Sequence, residues 1–190
     1  MRCFTLIAVI LVGFSNPSFA QSCKVLCSPN FWRAQTLDGI NNIIVLSDVN
    51  AQDENGWSPL HYAAEHGGPE KIQALIDAGA EVNARAKDRR TPLHHATGGE
   101  TPENIQTLID AGADVDARDE HGRPPLYFAA QSGTPVNVQA LIDAGADLNA
   151  RDNTGWSPLH IAATLGTPQV LIVAGANVDV RDEEIGRAHV

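Results

Sequence analysis

Ser58-Pro59-Leu60-His61, Thr91-Pro92-Leu93-His94, Pro124-Pro125-Leu126-Tyr127 and Ser157-Pro158-Leu159-His160 are one phrase written four times, with the second-position prolines Pro59, Pro92, Pro125 and Pro158 spaced 33 residues apart. A spacing held three times running marks an internal repeat. A second marker keeps the period: Gly79, Gly112 and Gly145 are also 33 apart, each following Ile-Asp-Ala and preceding Ala.

Each unit reads as two helices and a turn. The hydroxyl of Ser58, Thr91 or Ser157 suits a helix N-cap, and the following proline suits the first helical position, where its missing N–H is no loss. The helix runs through small residues such as Ala63-Ala64 and Ala129-Ala130 and stops near Gly67, Gly133 or Gly166. Thr101-Pro102, Thr134-Pro135 and Thr167-Pro168 repeat the start signal for a second helix. Its apolar positions, Ile72, Leu75 and Ile76, then Ile105, Leu108 and Ile109, then Val138, Leu141 and Ile142, follow the i, i+3, i+4 spacing of a single face. The glycine of Gly-Ala ends that helix, and Asp114-Val115-Asp116-Ala117-Arg118 and its counterparts lead into a turn at Gly56, Gly122 or Gly155. So small a helix pair cannot bury its apolar face alone, and it must stack on its neighbours as a solenoid.

These residues resemble the ankyrin repeat family, whose pattern Asp-x-x-Gly-x-Thr-Pro-Leu-His-x-Ala-Ala, a helix ending Leu-Leu-x-x-Gly-Ala, and Asp-Val-Asn are matched nearly letter for letter from Asp53 to Arg181. The resemblance implies an all-α fold, an ankyrin-repeat solenoid of stacked helix-turn-helix units joined by β-turn hairpin loops. Repeats are expected at 53–85, 86–118, 119–151 and, shortened, 152–181. Residues 28–52, with Ser28-Pro29 as cap, Phe31-Trp32-Arg33-Ala34, Ile40, Ile43-Ile44 and Asp48-Val49-Asn50-Ala51, read as a degenerate N-terminal capping repeat.

The pattern breaks at defined places. Arg89 stands where the other turns have glycine, so a positive φ there would cost about 1 kcal/mol. Pro124 replaces a capping hydroxyl and Tyr127 replaces the histidine, so the start of repeat three is expected to be the least regular. Gly166 to Gly175 spans 9 positions against 12 from Gly133 to Gly145, a loss of three residues that shortens the last second helix and puts Pro168 in place of Val138 and Val173 in place of an aspartate. That helix is expected to be the weakest, with Ile161, Leu171 and Ile172 left uncovered.

The ends of the chain read differently. Met1-Arg2, the apolar run Phe4 to Phe14 and Ser18-Phe19-Ala20 form a secretory signal peptide over 1–20, cut after Ala20; the run is too short for a bilayer, which takes about 20 apolar residues. Export to the periplasm or out of the cell follows, with no membrane insertion after cleavage. In the segment 21–27, Cys23 and Cys27 are then the two remaining cysteines and are expected to close a small disulfide loop. Acylation of Cys23 is the weaker alternative, since Ala20-Gln21-Ser22 lacks the Leu-type residue usual three positions earlier. At the other end, 182–190 reads as an incomplete repeat or as adapter sequence: Glu184 to Val190 back-translates to GAG ATC GGA AGA GCA CAC GTC, so the frame is expected to have run off a DNA fragment.

The formal charge is −10, and −11 without Arg2, which disfavours nucleic acid and anionic lipid as partners. His61, His94 and His160 recur at one phase, so they read as structural; the resemblance implies that each imidazole bridges backbone groups within and between units. Structural zinc wants four ligands, and no such spacing is present. No nucleophile elbow, Walker loop or dinucleotide turn occurs. No catalytic, cofactor-binding or metal residue is expected.

The resemblance implies a protein partner held by the turn tips and the exposed side of the first helix. The candidate contacts are Trp57, Glu65, His66, Arg90, Arg123, Gln131, Ser132 and Trp156. Trp57, Arg90, Arg123 and Trp156 form a row immediately before the caps, of residue types enriched at binding hot spots; the plainer alternative has them lying over the hairpins of their own units. As exposed side chains, the central pair are expected to contribute little to folding. The function expected is that of a non-catalytic, exported interaction module without oligomerisation, with two alternatives: the targeting arm of a larger exported enzyme or envelope protein, and a structural spacer.

Overall fold

A computed structural model describes residues 26–178 apart from 35, 45, 46, 100 and 133, together with 181–182 and 186–187. The expected signal peptide, Cys23, Gly133 and most of the expected adapter segment lie outside the described residues.

Helix pairs follow one another along the chain: α1 Pro29–Ala34 and α2 Leu37–Ile44, α3 Pro59–His66 and α4 Pro69–Asp77, α5 Pro92–Ala96 and α6 Pro102–Asp110, α7 Pro125–Ser132 and α8 Pro135–Asp143, α9 Pro158–Thr164 and α10 Gln169–Val173. The first helices of successive pairs stack on one another, and so do the second helices, giving two layers with the core between them. Leu60, Leu93, Leu126 and Leu159 fill the core from the first layer, and Leu75, Leu108, Leu141 and Leu171 from the second, all at most 1% exposed. The degenerate first pair joins the stack through Trp32, which is fully buried and whose Nε1–H donates to the carbonyl of Leu26 at 2.6 Å.

The second helices α4, α6, α8 and α10 end in the same way. Gly79, Gly112, Gly145 and Gly175 have φ between 86° and 93°. The following alanine N–H turns back to the helix, as Ala80 does to the carbonyl of Leu75 at 2.9 Å and Ala113 to Leu108 at 2.9 Å.

The departures expected from sequence take the following forms. Arg89 does adopt the left-handed conformation, with φ 64°. The start of repeat three is not the least regular: α7 has eight residues with the usual Tyr127 N–H bond to the carbonyl of Pro124 at 3.0 Å, and the shortest first helix is α5, with five. In repeat four the deletion leaves α10 with five residues, begun by Pro168 in helical conformation, and Val173 is 77% exposed. Ile161 and Ile172 are half-buried, whereas Leu171, expected to be uncovered, is buried, because it faces back onto α8 and α9. The hydroxyls of Thr101 and Thr134 make no capping bond. Beyond the helices, Arg181–Asp182 (β1) and Gly186–Arg187 (β2) pair antiparallel in a two-residue ladder, a minor addition to the all-α stack.

Candidate partner-binding face

The turn tips are built from carboxylates. Oδ1 of Asp53 accepts the N–H groups of Asn55 and Trp57 at 2.8 and 2.9 Å, that of Asp119 those of His121 and Arg123 at 2.9 Å each, and that of Asp152 those of Thr154 and Trp156 at 2.8 and 2.9 Å. Such bonds fold an aspartate-led turn locally. Repeat two has Ala86 at this place, and Asp88 instead takes the N–H of Arg90 at 3.1 Å. Adjacent tips are joined by backbone bonds, Lys87 N–H to Asn55 C=O at 2.9 Å, Glu120 to Asp88 at 2.9 Å and Asn153 to His121 at 2.8 Å. A side chain at Gly56 would put its Cβ 2.8 Å from the amide nitrogen of Lys87, so glycine is required there by the next tip as well as by its φ of 80°.

The recurring histidines hold tip to helix. Nδ1 of His61 accepts the N–H of Ser58 at 3.0 Å and lies 2.9 Å from its hydroxyl, so the proton sits on Nε2, which donates to the carbonyl of Arg90 in the next repeat at 3.2 Å. His94 does the same with Thr91 at 3.1 and 2.9 Å and with the carbonyl of Arg123 at 3.2 Å. Burial drives both imidazoles down to about 4, so both are neutral near pH 7.

On this frame the face has a floor and a row. The floor is Tyr62, His95, Phe128 and Ile161, one residue after each histidine position and again 33 apart. The row lies across it. The ring of Trp57 lies 4.0 Å from that of His95 and 4.9 Å from that of Tyr62, and the guanidinium of Arg90 sits 4.5 Å over Phe128. Arg123 reaches Phe128 at 5.0 Å and Tyr127 at 5.8 Å. Trp57 and Arg90 therefore each rest on the floor residue of the following repeat, not merely on their own hairpin.

Arg123 has a further duty. Its Nε and Nη2 donate to Oδ2 of Asp119 at 2.9 and 2.7 Å, and the Asp119 side chain is 1% exposed. Burial pushes the Asp119 carboxyl up, but the Arg123 guanidinium and the turn N–H groups outweigh it and hold the group below its usual value. Arg90 Nε pairs with Asp88 at 3.5 Å and with Asp119 at 3.8 Å. The expectation that the central arginines hardly affect folding is corrected accordingly: both are half-buried and carry intramolecular charge contacts.

At the N-terminal end of the face, Glu65 Oε2 accepts from His95 Nδ1 at 3.2 Å, and that hydrogen bond lowers the Glu65 pKa. His66 lies 3.3 Å from Arg33 Nη2 through its Nδ1. Its pKa is lowered, first by burial.

Three shallow clefts run along this side. One of about 450 Å³ includes Trp57, Tyr62, Glu65, His66 and Asp88 in its lining. The next, about 340 Å³, includes Trp57, Glu65, Arg90, His95, Phe128, Gln131 and Ser132. The third, about 430 Å³, includes Arg123, Tyr127, Asp152, Trp156 and Ile161. All eight candidate contact residues line one cleft or another. Sequence reading missed His95, Phe128 and Tyr62, although their common phase of 33 was visible.

A family model described as ankyrin repeats (three copies) matches residues 31–119 and 98–182. The chain belongs to the ankyrin repeat family. No curated protein matches it. Ankyrin repeats are generally protein–protein interaction modules and generally non-catalytic.

Among the described residues of this ankyrin stack, no group of three or more His, Cys, Asp or Glu side chains is placed to hold a metal ion, and no helix is long and apolar enough to cross a membrane. Cys27 is disulfide-bonded, with Sγ 3.7 Å from the carbonyl oxygen of Trp57; the expected partner Cys23 lies outside the described residues.

Proposed function

We propose that this ankyrin stack is an exported, non-catalytic binding module that holds a protein partner along the face formed by the turn tips and first helices. The observation that carries the reading is that three clefts, two of them sharing Trp57 and Glu65, together take in every candidate contact from Trp57 to Trp156. Trp and Arg side chains on a shallow half-buried surface suit a hot-spot row.

The test uses residues with few duties in the fold. Gln131 and Ser132 are exposed at the end of α7, and among the described residues the Ser132 hydroxyl bonds only to the carbonyl of Ala129 at 2.8 Å and to the Thr134 hydroxyl at 3.4 Å. The double change Gln131→Arg and Ser132→Arg adds bulk and charge in the middle of the face. A partner captured from envelope extract by the native protein is expected to be lost with the variant, at unchanged thermal midpoint. Equal recovery would move the binding surface elsewhere. Sequencing the N-terminus of the exported protein tests the leader, with Gln21 as the residue expected first.

A further inference from the structure

The clefts around Trp57 have a chemistry distinct from the rest of the face. Trp57 and Tyr62 present two tilted rings, 4.9 Å apart and 54° to each other. The Glu65 carboxylate lies on the same side, with about a third of its side chain exposed, and it lines both clefts that meet at Trp57. Its pKa is lowered, so it is ionised at neutral pH. Beside it His95 is 7% exposed, gives its Nδ1 proton to Glu65, and has at Nε2 a buried ring nitrogen with no hydrogen-bond partner.

An aromatic face and a carboxylate, beside a buried ring nitrogen without a partner, favour one visitor, a cation that donates hydrogen bonds. The local field agrees. Burial raises the Tyr62 hydroxyl pKa, and Asp53, Glu65 and Glu54 all push it the same way, as negative surroundings do. Of the nearby cations, Arg90 is balanced by Asp88 and Asp119, at 3.5 and 3.8 Å, Lys87 is exposed at the rim of the outer cleft, and Arg33, which helps lower the Glu65 pKa, is engaged by His66 Nδ1 at 3.3 Å.

We propose that the cleft around Trp57, Tyr62, Glu65 and His95 receives a basic side chain, arginine or lysine, projecting from the protein partner. This rests on the reading of the face as a partner-binding surface and names the chemistry of one contact. The guanidinium or ammonium stacks on the indole, pairs with Glu65 and offers an N–H toward His95.

The probe is N-acetyl-arginine amide at millimolar concentration, with N-acetyl-norleucine amide and N-acetyl-glutamate amide as controls, followed by NMR shifts of the Trp57 indole N–H and the Gly98 amide in the full chain. Saturable shifts with the arginine compound and none with the controls are expected. Glu65→Gln keeps an oxygen for the His95 N–H while removing the charge, so it should preserve the fold and weaken the response about tenfold. Trp57→Leu should abolish the Gly98 response. Equal responses to arginine and norleucine, a stronger response to glutamate, or an unchanged Glu65→Gln affinity would overturn the proposal. If those results came with a partner still lost on the Gln131→Arg and Ser132→Arg change, the binding face would stand and only the cation contact would fall.

Discussion

Lowering the pH from 7 to 5 should loosen this protein through two particular histidines. His61 and His94 are 0% and 4% exposed, and each is held neutral with a folded pKa of about 4 against an ordinary 6.5. Between those values the unfolded chain takes up protons that the folded chain refuses. Their contribution is therefore complete above 6.5 and is lost as pH falls toward 4. At pH 5 the linkage amounts to about 2 kcal/mol for each histidine, about 4 kcal/mol for the pair, from one pKa unit being worth about 1.4 kcal/mol. Against a domain stability of about 5–15 kcal/mol this is a large fraction. Glu65 and Asp119 act in the same direction, but their lowered pKa values place their losses below the ordinary carboxylate values of 4.5 and 3.8, outside the interval measured; His66, also lowered by burial, adds a loss inside it that parent and variant share, so their difference isolates His94. The assay is urea unfolding by circular dichroism at pH 7 and pH 5, for the parent and for His94→Tyr, a replacement the chain itself makes at Tyr127. The parent should lose about 4 kcal/mol and the variant about half of that. A parent midpoint equal at the two pH values, or a variant losing as much as the parent, would refute the reasoning.

Arg123→Ala should cost about 2 kcal/mol, because it strips the fork from a buried carboxylate; an unchanged urea midpoint would count against the Asp119 pairing. Leu108→Ala or Leu141→Ala should cost about 2–5 kcal/mol by opening a cavity between stacked helices, read from the same transitions. Arg89→Gly should raise stability by about 0.5–1 kcal/mol by relieving the positive φ, partly offset by the freer unfolded chain. Val173→Asp should add a few tenths of a kcal/mol: in the other repeats Gln73, Gln106 and Gln139 donate to Asp77, Asp110 and Asp143 at 2.7 Å, and Gln169 stands four residues before Val173. Amide exchange should be fastest in repeat four, and equal protection of repeats two and four would contradict the shortened-helix argument.

The period of 33, the paired start signals and the terminating glycines were enough to read the helix order, because each is a local rule the backbone must obey. The Arg89 conformation was legible for the same reason, since a turn that elsewhere needs glycine keeps its shape when glycine is missing. What escaped were contacts between units. Trp57 meets His95 and Arg90 meets Phe128 across 38 positions, a distance set by how repeats stack and not by any local preference. The role of Asp119 was hidden for a different reason. The turn bonds draw its side chain inward, where two guanidinium groups meet it, and the arginines come from different repeats. Leu171 was misplaced because the open end was judged from the missing neighbour alone, while its preceding neighbour suffices to bury it.

Tyr127 interrupts a chain of struts. His61 ties repeat one to the Arg90 carbonyl and His94 ties repeat two to the Arg123 carbonyl, but among the described residues the phenol of Tyr127 makes no matching bond to Trp156. Repeat four is therefore held by its hairpin bonds and by the packing of α9 on α7 and of the short α10 on α8, without a strut of this kind. Pulled from its two ends, the molecule should behave as a fused block with one detachable link, repeat four peeling away at low force before the rest yields. A load transmitted through a bound partner would then be felt first at Trp156, leaving the Trp57 end of the stack still engaged.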